Sequence, residues 1–546
     1  VVLVLGVIGT GFGLAAALQA NRDLEQTNRD LDEVASFQAT QLSSIDPSMM
    51  GARMRTALLA AVPEAERAEL ESRIARVNFT DQAMLTLEEN IFQRGLAAIE
   101  TQFADQPRVQ ARLLMTLGST MRELGLYDLA LAPAQRAVSL FAEVDGTNAK
   151  STADARLECA ELLVYLGEYG EAESEYEQAI EAFTSIEGEE GIGRLTAMHG
   201  IASSVVAQRR AEDAIPLSRE VVDARTRLLG PSHDSTLTSM NTLAFSFEEA
   251  GMLQEAMELH QQIYDLRLEN DGPESLKTAT AAASLGLAFS SLSRLDEALS
   301  LFEVALATQR SKLGDTHPDT LLTMNNYAGV LETLGRMGEA EAMYRRSHAG
   351  HLEVFGSEHF RTITALANVG FVLRSQGRIE EAEPFYRDAL EACRRTLGDQ
   401  DPMTLSSMGN FATLLEDLGR AEESLAMHRL VLEQKEEVLG PDHPSTLISA
   451  YNVGNGLHVL GELDDAEAYV SRALEGYRAI DADHAGTQHS LVALGDIRVA
   501  QGRHAEAEAL FREALESRAR TLGEEHRLTV ATRERVEQAA ASTETE

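Results

Sequence analysis

Leu321, Met324, Ala328, Leu331 and Leu334 fall at three- and four-residue intervals, one apolar face of a helix, and the stretch ends at Gly335. After that short turn, Ala340, Met343, Tyr344 and Ser347 carry the apolar or small face of a second helix. This helix A, turn, helix B pattern recurs. A turn residue followed by the same Ala-bearing register stands at Gly125, Gly167, Arg209, Gly251, Ser293, Gly335, Gly377, Gly419, Gly461 and Gly502. Successive positions are 42 residues apart except the last step, from Gly461 to Gly502, which is 41. The segments GPSHDSTL, GDTHPDTL, GSEHFRTI, GDQDPMTL, GPDHPSTL and GEEHRLTV, beginning at Gly230, Gly314, Gly356, Gly398, Gly440 and Gly523, mark the link between units. The Leu-Gly pairs there predict helix ends, and Pro318 and Pro444 suit the first turn of the next helix A. Neither helix can bury its stripe alone, so the units must stack in a row.

The stretch NNYAGVLETLGRMGEAEAMYRR at 325–346, preceded by LGDTHPDTL, resembles the tetratricopeptide repeat in the 42-residue form of kinesin light chains. The copies run clearly from about 222 to 520 and more weakly through the three earlier units. The resemblance implies an all-α, right-handed superhelical solenoid of about ten helix-turn-helix repeats that binds peptides or proteins in a concave groove.

The N-terminus is a different object. Residues 1–18, VVLVLGVIGTGFGLAAAL, carry no charge and reach roughly 27 Å as a helix, close to a bilayer's hydrocarbon thickness. The chain therefore reads as a membrane helix at 1–20, a helical stalk at 21–42, a joint and N-terminal capping helices at 43–104, the repeat array at 105–525, and a C-terminal capping helix with a disordered tail at 526–546. Within these, 43–65 reads as the joint on Pro47, Gly51 and Pro63, and about 80–104 as a single helix over the open face of the first repeat. Two alternatives stand for the apolar segment: a secretory signal cleaved near Ala15–Ala17 or Ala20, or a dinucleotide-type turn at Gly11-x-Gly13-x-x-Ala16 that the polar residues after it do not continue. Gly9 and Gly13 form a GxxxG, so a homodimer through the membrane helix and stalk is an expectation. Few basic residues follow Leu18, which favours an extracytoplasmic array. No initiator Met precedes Val1, which suggests a start inside a longer protein. DEVASFQATQLSSIDP at 32–47 and AAIETQFADQPRVQARLLMTLGSTMRELGLYDLAL at 97–131 look like the region after the kinase domain in bacterial transmembrane serine/threonine protein kinases with repeat tails. That resemblance implies the membrane span and the sensor or scaffold half of a signalling kinase. The alternative is a free-standing secreted or cytosolic adaptor.

The formal net charge of −40 excludes a nucleic-acid surface and disfavours anionic membranes. Cys159 and Cys393 read as small core residues. No Gly-rich loop with a following Lys, HRD, DFG, GxSxG, HExxH or P-loop occurs, so the chain reads as a non-enzyme without cofactor or metal. The recurring His233, His317, His359, His443 and His526 lie a helix spacing apart, too far to share an ion, and read as structural loop residues.

The functional signal is a ladder of amides. Asn326, Asn368, Asn410 and Asn452 each stand nine residues before their turn glycine, with Asn325 and Asn241 one place earlier in their units. In the resembled family this face of helix A lines the groove, where an amide offers donor and acceptor to an extended backbone. Bracing of neighbouring helices is the alternative. Further along lie Glu248, Glu332, Arg374, Glu416, Asn455 and His458. Three Glu against one Arg predict a partner peptide that is neutral to basic.

Overall fold

In the computed structural model the described residues are 47–543 apart from 75, 76 and 78. The apolar segment 1–18, the stalk 21–42 and the last three residues of the tail lie outside them. Among the described residues no helix is long and apolar enough to cross a membrane, and no strand occurs.

Ten A/B helix pairs follow one another from Pro107–Glu123 and Tyr127–Asp145 to Ala485–Ala500 and His504–Leu522, closed by Arg527–Thr543. The chain divides into two units, Val1–Leu334 with Glu353–Gly356, and Gly335–Leu352 with Ser357–Glu546. The first holds five complete pairs and helix Pro318–Thr333; the second holds most of helix Met337–Phe355, four complete pairs and the closing helix.

Within a pair, closeness depends on size. In the first unit Gly286 of helix Leu276–Ser291 faces Phe302 of helix Leu295–Leu313, and a Cβ on that glycine would stand 3.2 Å from the ring. The second unit repeats the device at Gly370 with Tyr386, Gly454 with Val470 and Gly495 with Phe511. A small residue seven places before the turn thus receives a large one nine places after it. The large partner is buried each time.

The inter-pair link explains the recurring His-x-x-Thr-Leu. His233, His317, His359, His443, His484 and His526 cap the N-terminus of the following helix A: Nδ1 accepts the backbone N–H two residues on, at 3.0–3.3 Å. Asp401 and Ser275 do the same in their repeats. The Thr is buried, and in several links it donates back to the end of the previous helix, as Thr236 Oγ1 does to the Gly230 carbonyl at 2.9 Å and Thr278 Oγ1 to the Gly272 carbonyl at 2.8 Å. The loop role expected of the histidines is therefore a helix cap.

The turn between helices A and B needs a left-handed residue. Gly251 has φ 75°, and Arg209 and Ser293 hold φ 60° and 59° without being glycine. That conformation costs a non-glycine residue about 1 kcal/mol. Ser293→Gly is expected to stabilise the chain by roughly 0.5–1 kcal/mol, read as a higher urea midpoint, and Gly251→Ala to shift it the other way.

The N-terminal segment departs from the joint read at 43–65. Helix Pro47–Ala60 runs through it, because Gly51 lets that helix lie against helix Phe79–Leu87: a Cβ at Gly51 would stand 2.6 Å from the Phe79 backbone. Helix Phe79–Leu87 continues through a π-turn, Glu88–Phe92, into Gln93–Gln102. The wide turn carries Phe92, which is fully buried.

Candidate interaction face of the A helices

Positions 13, 9, 6 and 2 residues before the turn lie on one face of helix A, since steps of three and four follow the helical repeat, and position 10, one turn before position 6, borders the same face. In the first unit this face carries Asn241 and Phe245 in helix Asp234–Glu249, Leu287 in helix Leu276–Ser291, and Leu322, Asn325 and Asn326 in helix Pro318–Thr333. In the second unit it carries Asn368 and Phe371 in helix Phe360–Ser375, Asn410 in helix Pro402–Asp417, and Ile448, Asn452, Asn455 and Val459 in helix Pro444–Leu460.

The amides are accessible. Asn241 and Asn410 are exposed, and Asn325, Asn326, Asn368, Asn452 and Asn455 are half-buried. Among the described residues the side chains of Asn241, Asn326, Asn410, Asn452 and Asn455 make no hydrogen bond, whereas Asn325 and Asn368 have partners. Among the described residues, none of those five braces a neighbouring helix through a hydrogen bond.

The charged positions are arranged otherwise. Glu248 lies 3.3 Å from Nε2 of buried His260, and Glu416 lies 3.4 Å from Nε2 of buried His428 while accepting a 3.0 Å hydrogen bond from Ser424. These carboxylates tie helix A to helix B of their own repeats. Arg374 is paired with Asp417 in the next repeat. Glu332 and His458 are half-buried on the same face, and Glu332 has a partner.

The sequence reading missed the apolar members of the face. Phe245, Leu287 and Phe371 stand six residues before their turns and are exposed, as are Leu322, Ile448 and Val459, the last at 67%. The signal was available: an apolar residue three places after the amide position, off the stripe that packs against helix B.

The repeats at the N-terminal end carry different chemistry. Where later repeats have an amide, helix Lys150–Leu166 has Glu158, followed by Glu161 and Tyr165. Arg122, at the end of helix Pro107–Glu123, reaches both carboxylates: Nε to Glu158 at 2.8 Å and Nη1 to Glu161 at 3.1 Å. Tyr127 and Tyr165 stack with ring centroids 4.4 Å apart and planes 3° from parallel.

Burial sets the acid response. His199, His351 and His359 are each pushed down to about 4 by burial, with a neighbouring arginine adding to it. The unfolded chain takes up protons on these rings below about 6.5, and the folded chain does not until about 4. Their contribution is thus complete above pH 6.5 and is lost as pH falls towards 4. A thermal midpoint that declines between pH 6.5 and 4 is expected; His359→Asn, which keeps a capping acceptor, should make the decline smaller.

Among the described residues no group of three or more His, Cys, Asp or Glu could hold a metal ion. Residues 109–185 and overlapping windows from 193 to 519 match the Tetratricopeptide repeat family profile. No curated protein matches the chain. Solved structures that resemble it include a Podosopora anserina protein of nearly identical TPR-like repeats, assigned as a kinesin light chain (23% identity over 37% of this chain and 97% of that one, TM-score 0.34). BtubC (BKLC) from P. vanneervenii is similar at 19% identity (41% of this chain, 91% of that one, TM-score 0.37). The apo quorum sensor NprR from B. thuringiensis is similar at 14% identity (69% and 99%, TM-score 0.47).

Proposed function

The chain belongs to the tetratricopeptide repeat family, and from that premise we propose that it is a protein-interaction scaffold or sensor whose A-helix face binds an extended peptide segment of a partner protein. The observation that carries this reading is the recurrence of unbonded amides on one face, three of them, Asn326, Asn410 and Asn452, nine residues before their turns. An amide held clear of its own protein offers a donor and an acceptor to a peptide backbone without selecting its side chains. Neighbouring A helices stand roughly 10 Å apart, so successive amides would meet a strand at about every third residue. Between them the exposed Phe, Leu, Ile and Val supply apolar contact. The net charge of −40 and the carboxylates of this face favour a neutral to basic segment.

Selection of a random peptide library on the full chain tests the reading. Neutral and basic peptides with apolar residues are expected to be enriched, and enrichment of acidic peptides would overturn it.

The finer proposal is a membrane-anchored module, held through residues 1–18 with its array outside the cytoplasm, that forms the non-catalytic half of a bacterial signalling kinase. It rests on the apolar run and on the resemblance of 32–47 and 97–131 to the region after such kinase domains. Intact mass and N-terminal sequencing of the natural protein test it. A product larger by a kinase domain, with phosphotransfer activity, supports the proposal; one starting within a few residues of Val1 removes it.

A further inference from the structure

The cluster at the first two repeats contains one cation and two carboxylates. Arg122 is engaged by both Glu158 and Glu161, and among the described residues no other basic group pairs with either. The set therefore holds one net negative charge. Burial pushes the Glu161 carboxyl above its usual range, with Arg122 opposing and Glu158 reinforcing the rise. A second positive charge at this place would be stabilising.

Three tyrosines surround it. Tyr165 is 57% exposed and stacked on Tyr127, so the outer face of its ring is open. Tyr176 of helix Tyr169–Glu187 is only 2% exposed, and its phenol is electrostatically coupled to Glu161, Arg122, Tyr165 and Glu158. Its ring reaches this position because residue 200 is glycine, where a Cβ would stand 2.3 Å from the ring and 2.7 Å from the hydroxyl oxygen. Among the described residues no hydrogen bond is made by that hydroxyl or by those of Tyr127 and Tyr165. An unbonded phenol beside the cluster, an open aromatic face and a surplus carboxylate all favour the same ligand group, a flat cation.

We propose that this cluster is a subsite for an arginine of the bound peptide, whose guanidinium lies on the open face of Tyr165 and pairs with Glu161. The subsite rests on the peptide-binding reading above and adds to it a position where charge, rather than backbone, is read. Lysine would use the same carboxylate but stack less well on the ring.

The test uses the full chain and the tightest peptide from the library selection, synthesised with arginine and with its uncharged isostere citrulline. The arginine peptide is expected to bind the unaltered chain about tenfold more tightly than the citrulline peptide. Glu161→Gln and Tyr165→Ala should bring the two peptides to equal affinity, and Tyr165→Phe should keep the difference. Asn241→Ala should weaken both peptides alike. Thermal midpoints close to that of the unaltered chain would show that the exposed Tyr165 and the isosteric Glu161→Gln leave the fold intact. An arginine preference that survives Glu161→Gln, or selected peptides without an arginine, would overturn the subsite while leaving peptide binding standing. Selection of no peptide at all would remove both.

Discussion

Phe302→Ala is expected to cost about 3–5 kcal/mol, a large share of the stability of a domain of ordinary size. Phe302 is fully buried, and what it meets on helix Leu276–Ser291 is Gly286. A glycine has no side chain to move into the space that truncation leaves, so the cavity stays open unless two backbones approach. Such an approach would need two helices to shift as units, since the glycine itself has nothing to move into the space. Phe302→Leu fills most of the volume and is expected to cost about 1 kcal/mol. Urea unfolding followed by circular dichroism distinguishes the two. A loss below about 1 kcal/mol for the alanine variant would mean that the glycine–aromatic contact contributes little and that stability resides in the links between pairs.

Asn410→Ala and Asn452→Ala are expected to weaken peptide binding about tenfold each, and their combination about a hundredfold, with the thermal midpoint unchanged. The magnitude is that of one hydrogen bond per amide, about 1–1.5 kcal/mol. The unchanged midpoint follows because neither side chain hydrogen-bonds within the described protein. Glu416→Ala should do the reverse: it leaves buried His428 and Ser424 without their carboxylate and so lowers the midpoint. Fluorescence titration of a library-selected peptide, paired with thermal unfolding of each variant, separates these outcomes. Were the asparagine variants to lose stability and keep binding, the amides would be braces and the proposed face would lie elsewhere. Binding of a basic peptide should also weaken as salt is raised, because part of the attraction is long-range.

Much of the architecture was legible in the sequence, for a physical reason. A stack of similar pairs repeats its constraints, so each turn and small-residue position is written in pair after pair and the cap in most links, and an isolated ambiguity such as Arg209 or Ser293 is resolved by its register. The amide ladder was legible in the same way. Individual partners were harder to read. Glu248 and Glu416 look like groove residues by register, yet their fate depended on His260 and His428 across the pair. The cluster of Arg122, Glu158, Glu161 and the tyrosines was also hidden, since it draws on helices of successive repeats and its residue types at these register positions differ from those of the later repeats. Pro47 and Gly51 misled for a related cause. Read locally they suggest a joint, but Pro47 opens a helix and Gly51 gives that helix its close approach to Phe79.

The sequence by itself determined the helix pairs, their order, the residues that cap and close them, and the acidic character of the whole. Those properties follow from periodicity, backbone preference and charge, which act within a few residues of chain. Only the tertiary structure decided which polar groups are consumed in holding helices together and which remain available, because their pairing is settled on neighbouring helices, 12 residues away for Glu248 and His260 and 43 for Arg374 and Asp417. The difference between Asn410, which keeps its amide free, and Arg374, which is engaged by Asp417, is of that kind.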